Sequence, residues 1–439
     1  MRVSGHLRKT GYYPGDLLIA AVVLLPLLWA APGLLAALGT SWTAVTSLLV
    51  RTTGILALST FVAAALLSAR VPRTDRWFGG QMRLWEIHKL LGFSAFLLVM
   101  AHVLLLALMA LPVSVERSVT FIFPPMAQWD VWAGWLAFVL MVVFIAPTFG
   151  FFGRLHYQRW KSLHRISAPA FLLALVHGIA LAPGAAIWWL LGVLALAAIA
   201  WRLVFSRPLA RQRYTVDSVT PLARDVVEIN LKPLGRGMTW QPGQFVYLSP
   251  LDPQLEAGIG EEHPYTIASA DSDTHMRIGV KAIGDATTAL QHVRPGTEAE
   301  VEGPYGTFLE AHEPDRGRLW LGGGIGITPF VAGARAMRTG TSEAVDTVSL
   351  YLADRPERAY YLDELKTIAE ATPTFTAHVH YFNEHGVLTA DFLRAHCPDF
   401  AEREVFICGP PGMIAHVDRL LRDEGVPPER IHTEAFDFL

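Results

Sequence analysis

HKLLGFSAFLLVMAH, residues 88–102, is an apolar stretch that begins and ends on histidine. Its two histidines are fourteen residues apart, which is close to four helical turns. They would therefore share one helix face, about 20 Å apart along the axis. A second stretch, HRISAPAFLLALVH at residues 164–177, repeats the arrangement with a spacing of thirteen. Because a histidine inside a membrane span is costly, this repetition indicates a functional pair of helices.

Both stretches lie within apolar runs of the length that crosses a membrane. A transmembrane helix needs about 20 apolar residues, and the first half of the chain holds six such runs. The mean hydropathy of +0.34 comes from this half, because residues 209–439 have an ordinary density of charge. The predicted spans are 16–37, 43–68, 86–111, 130–151, 163–182 and 185–205.

The basic residues between the spans predict their orientation. Lys and Arg concentrate in the cytoplasmic loops of membrane proteins. Every second loop here is basic, whereas the opposite loops carry little beyond Arg117. Both termini and the polar second half are therefore expected in the cytoplasm. The basic loop residues are Arg2, Arg8, Lys9, Arg70, Arg73, Arg76, Arg83, Arg154, Arg159, Lys161, Arg165, Arg207, Arg211 and Arg213.

The third and fifth predicted spans run in the same direction, which pairs their histidines by depth. His88 matches His164 near the inner side, and His102 matches His177 near the outer side. Two imidazoles that face each other across a helix pair form a bis-histidine haem site. A single membrane histidine is more often a packing or proton-relay residue. Four histidines at two matched depths favour two b-type haems.

Arg51 places a charge within a predicted span, where charges are costly in free energy. It lies roughly two turns into the second span from the outer end of that span. Its long side chain could snorkel to the outer headgroups. It could instead lie near the outer haem, where its charge would pair a propionate or attract an anionic acceptor or product. Both interpretations stand.

Residues 213–308 contain short β-type runs separated by turns, which predict a small antiparallel barrel. The motif His263-Pro264-Tyr265-Thr266-Ile267-Ala268-Ser269 sets an aromatic ring beside a hydroxyl, which suits a flavin ring and its polar edge. Near Lys281, Gly284-Asp285-Ala286-Thr287 joins small residues to a helix start, which suits a pyrophosphate. A plain strand or turn would also explain either motif. The predicted strands are Tyr214–Val219, Val226–Leu231, Phe245–Ser249 and Met276–Ala282.

From about residue 315 the pattern predicts an α/β nucleotide-binding domain. The strand Arg318–Leu321 leads into the glycine-rich turn Gly322–Pro329 and a helix-like stretch. Such a turn lets backbone N–H groups approach a dinucleotide phosphate.

Two later strands of this domain carry further candidates. Val348–Leu352 precedes Arg355 and Arg358, either of which could meet a 2′-phosphate. Glu404–Ile407 ends in Cys408-Gly409-Pro410-Pro411-Gly412-Met413. Loops at the carboxyl ends of strands are where such sheets bind ligands.

Composition excludes several function classes. The formal net charge of −3 and the charged fraction of 17% argue against a nucleic-acid binder. Two cysteines, Cys397 and Cys408, cannot build a disulfide framework or a cysteine metal cluster. They suit a reduced, cytosolic environment for the polar half.

Taken in order, these motifs resemble the NADPH oxidase and ferric reductase family over nearly the whole chain. The bacterial single-chain NADPH oxidases are similar in size and layout, and the soluble half resembles the ferredoxin–NADP reductase superfamily. The resemblance implies an integral protein of a bacterial inner or plasma membrane. It implies FAD binding by His263, Pro264, Tyr265, Thr266 and Ser269, with Gly303-Pro304-Tyr305-Gly306 closing the flavin domain. Lys281, Gly284 and Thr287 are further candidate cofactor-binding residues.

The same resemblance assigns the nucleotide site and the haem ligands. The haem-ligand histidines of the family have the same spacings on the third and fifth spans as the four histidines here. The family also has an arginine at the outer end of the second span, and Arg51 is similar to it. A C-terminal aromatic that covers the flavin would be Phe436, with Phe438 as the alternative. NAD(P)H would be bound by Gly322, Gly323, Gly324, Gly326, Thr328 and Pro329, by Arg355, and by Cys408, Gly409 and Pro410.

One position departs from the oxygen-reducing members of the family. Some of them have a further histidine a turn beyond the outer ligand of the third span, where this chain has Leu106. The electron acceptor is therefore open between O2, giving superoxide, and a ferric chelate, with O2 as the leading expectation. A quinone or partner protein is a further alternative, although no obligate protein partner is evident. A proton channel with a regulatory nucleotide domain is the non-redox alternative.

The expected fold is membrane α plus α/β. A six-helix di-haem transmembrane domain spans 1–208, an antiparallel β-barrel FAD domain spans 209–312, and a Rossmann-like NAD(P)H domain spans 313–439. Phe436, Arg51 and Cys408 are the candidate catalytic residues.

Overall fold

The computed structural model describes residues 12–148, 157–182, 186–310, 313–341 and 345–435. Within these residues the chain forms two compact units. The helical unit comprises 12–70 and 84–207. The β-rich unit comprises 71–83 together with the chain from Pro208 onward. The predicted inner loop at 71–83 is thus part of the β-rich unit, which the sequence pattern does not reveal.

The helical unit holds, within the described residues, six helices long and apolar enough to cross a membrane. The fifth is built from two consecutive pieces, α6 and α7, and the sixth continues from α8 to Ala210. The helices are α1 Pro14–Ala36, α2 Trp42–Leu67, α3 Gln81–Ala110, α4 Val115–Ile122, α5 Trp129–Ile145, α6 Tyr157–His164, α7 Ser167–Leu181, α8 Ala186–Ala200 and α9 Ser206–Ala210.

All six predicted spans have a matching helix, but the fifth differs in form. The predicted continuous span is interrupted after α6, so His164 ends one helix and His177 lies in the next. Pro169 gives the reason, because proline has no N–H to donate to the carbonyl four residues earlier and its ring crowds that turn. The third helix also begins at Gln81, five residues before the predicted start.

Hydroxyl side chains within α2 are satisfied by their own helix. Thr46, Ser59 and Thr60 each donate to the carbonyl four residues earlier, at 2.7–2.8 Å. At the helix start, the Ser41 hydroxyl accepts from the Ala44 N–H at 3.2 Å. Hydrocarbon offers no hydrogen-bond partners, so a spanning segment must satisfy its polar groups internally.

The first half of the β-rich unit is a six-stranded antiparallel sheet in the order β4-β3-β6-β1-β2-β5. Alternating residues of its strands, such as Ile229, Leu231, Ile278 and Val280, form a fully buried core. The predicted strands are confirmed. The strand β6 was not predicted, although Ala299 and Val301 alternate with glutamates along it. The strands are β1 Arg211–Ala223, β2 Val226–Pro233, β3 Phe245–Pro250, β4 His263–Thr266, β5 Met276–Lys281 and β6 Glu298–Tyr305, with the short helix α10 Asp285–Ala289 after β5.

The second half is a parallel five-stranded sheet in the order β11-β10-β7-β8-β9. After β9 the chain returns to the other side of β7, which makes the gap between β7 and β10 a topological switch point. Ligands bind at such a point, outside the carboxyl ends of the strands. Its elements are β7 Arg318–Gly323, α11 Thr328–Thr339, β8 Thr347–Ala353, α12 Leu362–Ala371, β9 Phe375–Tyr381, α13 Phe382–His385, α14 Ala390–His396, β10 Glu404–Cys408, α15 Pro411–Asp423 and β11 Ile431–Glu434.

Candidate functional site

Three of the four predicted haem histidines make the same hydrogen bond. The Nδ1 atoms of His88, His102 and His177 lie 2.7–2.9 Å from backbone carbonyl oxygens of neighbouring helices. A carbonyl can only accept, so each Nδ1 carries the ring proton and each Nε2 keeps its lone pair. This is the arrangement that prepares imidazoles as metal ligands. The three carbonyls belong to Ala64, Val50 and Asp130 respectively.

His88 and His164 face each other with ring centroids 6.2 Å apart and ring planes inclined by 67°. Two imidazoles on opposite sides of one metal ion, each bonded at about 2 Å, would have centroids roughly 6 Å apart. Trp160 stacks on His164 at 5.1 Å, and Trp85 meets His88 edge-on at 5.6 Å. The pair therefore fits an iron held between two histidines. The buried Nδ1 of His164 has no hydrogen-bond partner among the described residues.

Arg51 is exposed on α2. It is the neighbour of Val50, whose carbonyl accepts the His102 Nδ1–H. The backbone that supports His102 thus also carries the arginine. Its exposed position suits both the snorkelling and the functional interpretation.

The flavin motif leaves two buried polar atoms without protein partners. Tyr265 and Thr266 are 7% and 5% exposed, and within the described chain neither the Tyr265 hydroxyl nor the Thr266 Oγ1 has a hydrogen-bond partner. Burial raises the pKa of Tyr265, which stays a neutral phenol. An unsatisfied buried hydroxyl costs free energy, so these atoms indicate a ligand. The residues thus fit a flavin at β4, which begins with His263 and Pro264.

Two other predicted flavin residues have partners within the protein. Ser269 is fully buried, and its Oγ accepts from the Arg277 N–H at 3.1 Å. The Thr287 Oγ1 accepts from the N–H groups of Ile283 and Gly284, both at 2.9 Å. Thr287 therefore shapes the loop after Lys281, and Ser269 joins the motif to β5.

The predicted turn Gly303–Gly306 closes the flavin sheet with help from a residue that the sequence analysis missed. The Gly306 N–H donates to Asp75 Oδ2 at 2.8 Å, and the Gly306 carbonyl accepts from Gln244 at 3.2 Å. Asp75 is 2% exposed, and burial raises the pKa of this carboxyl. An acidic residue in the otherwise basic 71–83 loop was the available sequence signal.

The two glycine-rich nucleotide motifs meet at the switch point between β7 and β10. A Cβ at Gly326 would lie 2.5 Å from the Cys408 carbonyl oxygen, so only glycine allows the loops to approach this closely. Gly324 has a φ of +56° and open space around it. Thr328 and Pro329 then begin α11. The predicted turn and the predicted Cys408 motif thus form one site.

Cys408 is fully buried at the end of β10, in register with Glu434 of β11. Burial, with a smaller contribution from the Glu434 charge, raises the pKa of this thiol well above its ordinary value. Cys408 is therefore a neutral thiol at the switch point. Glu434 was not among the predicted site residues, and its position two residues before Phe436 was the available signal. Phe436 and Phe438 lie outside the described residues.

The two arginines predicted near a 2′-phosphate differ in their surroundings. The Arg358 Nη1 lies 2.6 Å from both carboxylate oxygens of Asp225, a residue of the flavin domain. The Arg355 side chain is 58% exposed and has a 3.5 Å ion-pair contact to Glu357 among the described residues. Arg355 is the candidate that remains available to an anionic ligand.

Arg335 joins the two sheets through a buried network. It is 3% exposed and makes a two-pronged contact with Glu364 at 2.8 Å. Its Nη1 donates to Glu228 of β2 at 3.0 Å and to the Ala268 carbonyl of the flavin motif at 2.9 Å. Because Arg335 belongs to α11, the helix that follows the nucleotide loop is tied directly to the flavin motif.

Three family models match consecutive parts of the chain. Residues 53–175 match a ferric reductase like transmembrane component. Residues 211–308 match an FAD-binding domain, and residues 320–419 match an oxidoreductase NAD-binding domain.

Curated relatives resemble the soluble half. The glycine betaine monooxygenase reductase subunit of Pseudomonas aeruginosa is 34% identical over 211 residues, covering 45% of this chain and 56% of the relative. The propane 2-monooxygenase reductase component of Mycolicibacterium smegmatis is 27% identical, covering 52% and 68%. The chain thus spans little more than half the length of the first of these relatives.

Solved structures resemble this chain more distantly than the curated relatives do. Flavohemoglobin from Malassezia yamatoensis has a TM-score of 0.49 at 16% identity, covering 90% of this chain and 99% of its own. The Amycolatopsis cytochrome P450 reductase has a TM-score of 0.43 at 23% identity, covering 52% and 69%.

The three matched models and the six candidate spans of the described residues give the chain a membrane part, an FAD-binding domain and an oxidoreductase NAD-binding domain. Their order, a ferric-reductase-like transmembrane component followed by FAD-binding and NAD-binding domains, is the architecture of the ferric reductase and NADPH oxidase family.

Proposed function

We propose that this protein moves electrons across a membrane, from NAD(P)H through FAD and two b-type haems to an acceptor on the opposite side. The observation that carries the proposal is the shared hydrogen bond of His88, His102 and His177 to backbone carbonyls. A histidine that only packs or relays protons has no reason to make this same Nδ1 hydrogen bond at three positions, whereas metal-ligating histidines almost always make it. Among the four, His164 lacks such a partner within the described residues.

Bound FAD would take two electrons as hydride and release them singly, and bis-histidine haems would pass single electrons onward. The side chains of the protein would hold these groups in position. His88 with His164, and His102 with His177, would each hold one iron. Tyr265 and Thr266 offer the flavin a ring face and a hydroxyl, both buried away from water.

The switch point between β7 and β10 would hold NAD(P)H. Gly324 and Gly326 keep the loop open and close to Cys408, and the start of α11 presents N–H groups to phosphate. Cys408, as a neutral thiol, would border the nicotinamide without forming a bond to it. Arg355 would meet a 2′-phosphate, which favours NADPH, and Phe436 would cover the flavin until nicotinamide arrives.

The proposed orientation and domain limits rest on the sequence. The basic loops support cytoplasmic termini and cytoplasmic soluble domains. The three functional domains would then comprise 1–208, 209–312 and 313–439. Electrons would leave on the outer side, near His102 and His177.

O2, reduced to superoxide, is the proposed acceptor. Because each iron would be held by two histidines, the acceptor would take its electron by outer-sphere transfer. A ferric chelate is the alternative, favoured by the family model of the membrane part. The curated relatives named as reductase components add a third class, a protein partner or quinone. Arg51 would attract an anionic acceptor or product.

The test uses the full chain purified in detergent. Absorbance should show two haems and one FAD for each chain, and NADPH or NADH should reduce all three. Turnover is then compared for O2, by superoxide-dismutase-sensitive dye reduction, for a ferric chelate and for a quinone. Absence of haem would overturn the proposed electron path. Haem reduction with ferric-chelate turnover alone would replace O2 with the alternative acceptor.

A further inference from the structure

Two glycines occupy equivalent places beside the outer histidines. His102 reaches the carbonyl of Val50, and Gly54 is four residues later in α2. His177 reaches the carbonyl of Asp130, and here Gly134 is four residues later in α5. The same relation thus arises on two different helices.

Helix geometry explains why the fourth residue matters. The carbonyl of each helical residue points toward the N–H of the residue four positions later. The Cα–Cβ bond of that later residue tilts back toward the helix N-terminus, over the carbonyl. Within a helix, a side chain there crowds an outside group that approaches the carbonyl, and a glycine leaves the approach open.

The distances show that the imidazoles occupy this space. A Cβ at Gly134 would lie 2.8 Å from the His177 Nδ1 and 2.9 Å from its Cε1. A Cβ at Gly54 would lie 3.1 Å from the His102 Nδ1 and Cε1. Both rings must shift to admit an alanine, and the ring of His177 must shift further.

The inner histidine of α3 achieves its hydrogen bond differently. His88 contacts the carbonyl of Ala64, which lies in the last turn of α2. The residue four positions later is Ser68, the C-cap of α2. Its N–H is shared between the carbonyls of Ala64 and Ala65, at 3.2 Å each. At this helix end the Ala64 carbonyl therefore accepts from His88 without a glycine four positions later.

We propose that Gly54 and Gly134 are positioning residues for the outer haem ligands. They let His102 and His177 donate Nδ1–H to a backbone carbonyl, which fixes the tautomer and raises the basicity of Nε2. A more basic ligand favours the ferric state and lowers the midpoint potential of the iron. This inference rests on the proposed function, because it concerns the haem held by this pair.

Gly134→Ala and Gly54→Ala test the proposal, with Gly92→Ala as the matched control. Gly92 lies in α3 between the two histidines, and a Cβ there meets nothing within 4 Å. Haem content is measured by absorbance, and the two midpoint potentials are measured by redox titration. Flavin content reports folding of the soluble half.

We expect Gly134→Ala to shift one midpoint potential upward, or to lose one of the two haems, while the other potential stays unchanged. Gly54→Ala should act in the same direction with a smaller shift. If Gly134→Ala does not accumulate, the milder Gly54→Ala still decides, because alanine is favourable within a helix by about 1 kcal/mol.

Unchanged potentials and two haems in both variants would overturn this inference and leave the proposed function intact. Equal shifts in Gly92→Ala would also overturn it. Absence of haem from the unaltered protein would overturn the proposed function as well.

Discussion

The membrane half and the soluble half position their functional groups by opposite means. In the membrane half, His88, His102 and His177 are oriented by neutral backbone carbonyls. In the soluble half, the nucleotide helix is joined to the flavin motif by the charged network of Arg335. Ionic pairs in hydrocarbon are expensive, whereas backbone carbonyls are present in every helix. The surroundings therefore select the means of support.

Replacing a membrane histidine should have the largest effect. His102→Ala is expected to remove one of the two haems, because the outer iron would keep only one of its two proposed histidine ligands. Haem-to-protein stoichiometry should fall from two to one, and transmembrane electron transfer should stop while flavin reduction by NAD(P)H continues. His292→Ala, at an exposed histidine of the soluble half, is the control. Two haems in His102→Ala would contradict the ligand assignment.

Removing the charge at the centre of the soluble network comes next. Arg335→Met leaves Glu228 and Glu364 without their buried cation, which costs about 3–5 kcal/mol. Displacement of the nucleotide loop should slow hydride transfer roughly 10- to 100-fold. Thermal release of flavin fluorescence and stopped-flow flavin bleaching measure the two effects. Arg338→Met, at an exposed arginine of the same helix, should leave both nearly unchanged. If the two variants released flavin at the same temperature and bleached it at the same rate, the Arg335 network would not be what supports the nucleotide helix.

Asp75 combines both kinds of support, a charged side chain and a backbone group. Its carboxylate accepts a hydrogen bond from the backbone N–H of Gly306. Asp75→Ala leaves the buried Gly306 N–H without its acceptor, at a cost of about 1–3 kcal/mol. Asp75→Asn keeps an acceptor oxygen. Burial raises the pKa of Asp75, so the ionised form is penalised in the folded state above that pKa. The asparagine variant should therefore equal or exceed the stability of the unaltered protein at pH 7. Flavin release on heating ranks the three proteins, and an asparagine variant as unstable as the alanine variant would show that charge is required.

The Asp225–Arg358 pair should have the smallest effect, because both side chains are 30% exposed. Surface pairs contribute about 0.2–1 kcal/mol. The hydrogen bond from Arg358 lowers the pKa of Asp225, so this contribution is present above the unfolded pKa, about 3.9, and is lost as pH falls through the folded value. Asp225→Asn should thus reduce thermal stability slightly at pH 7, with the difference shrinking below about pH 4. Asp315→Asn is the exposed control, and a pH-independent difference would exclude the ion pair as its cause.

The sequence alone determined what depends on local composition and spacing. Apolar length predicted the six spans, and histidine spacing predicted the paired ligands. The motifs at Tyr265, Gly322 and Cys408 predicted the flavin and nucleotide sites. These features are legible because hydrophobic burial and helix periodicity act over a few neighbouring residues.

Only the tertiary structure decided which group supports which. The carbonyls of Val50 and Asp130 are invisible in a sequence, since every residue has one. Asp75 accepts a hydrogen bond from Gly306, which is 231 residues away in the sequence. Arg358 was a candidate for binding a 2′-phosphate, and in the structure it pairs with Asp225. Such pairings depend on how distant segments fold together, and a local pattern carries no record of them. The carbonyls that orient the outer histidines are therefore a property of the folded helices.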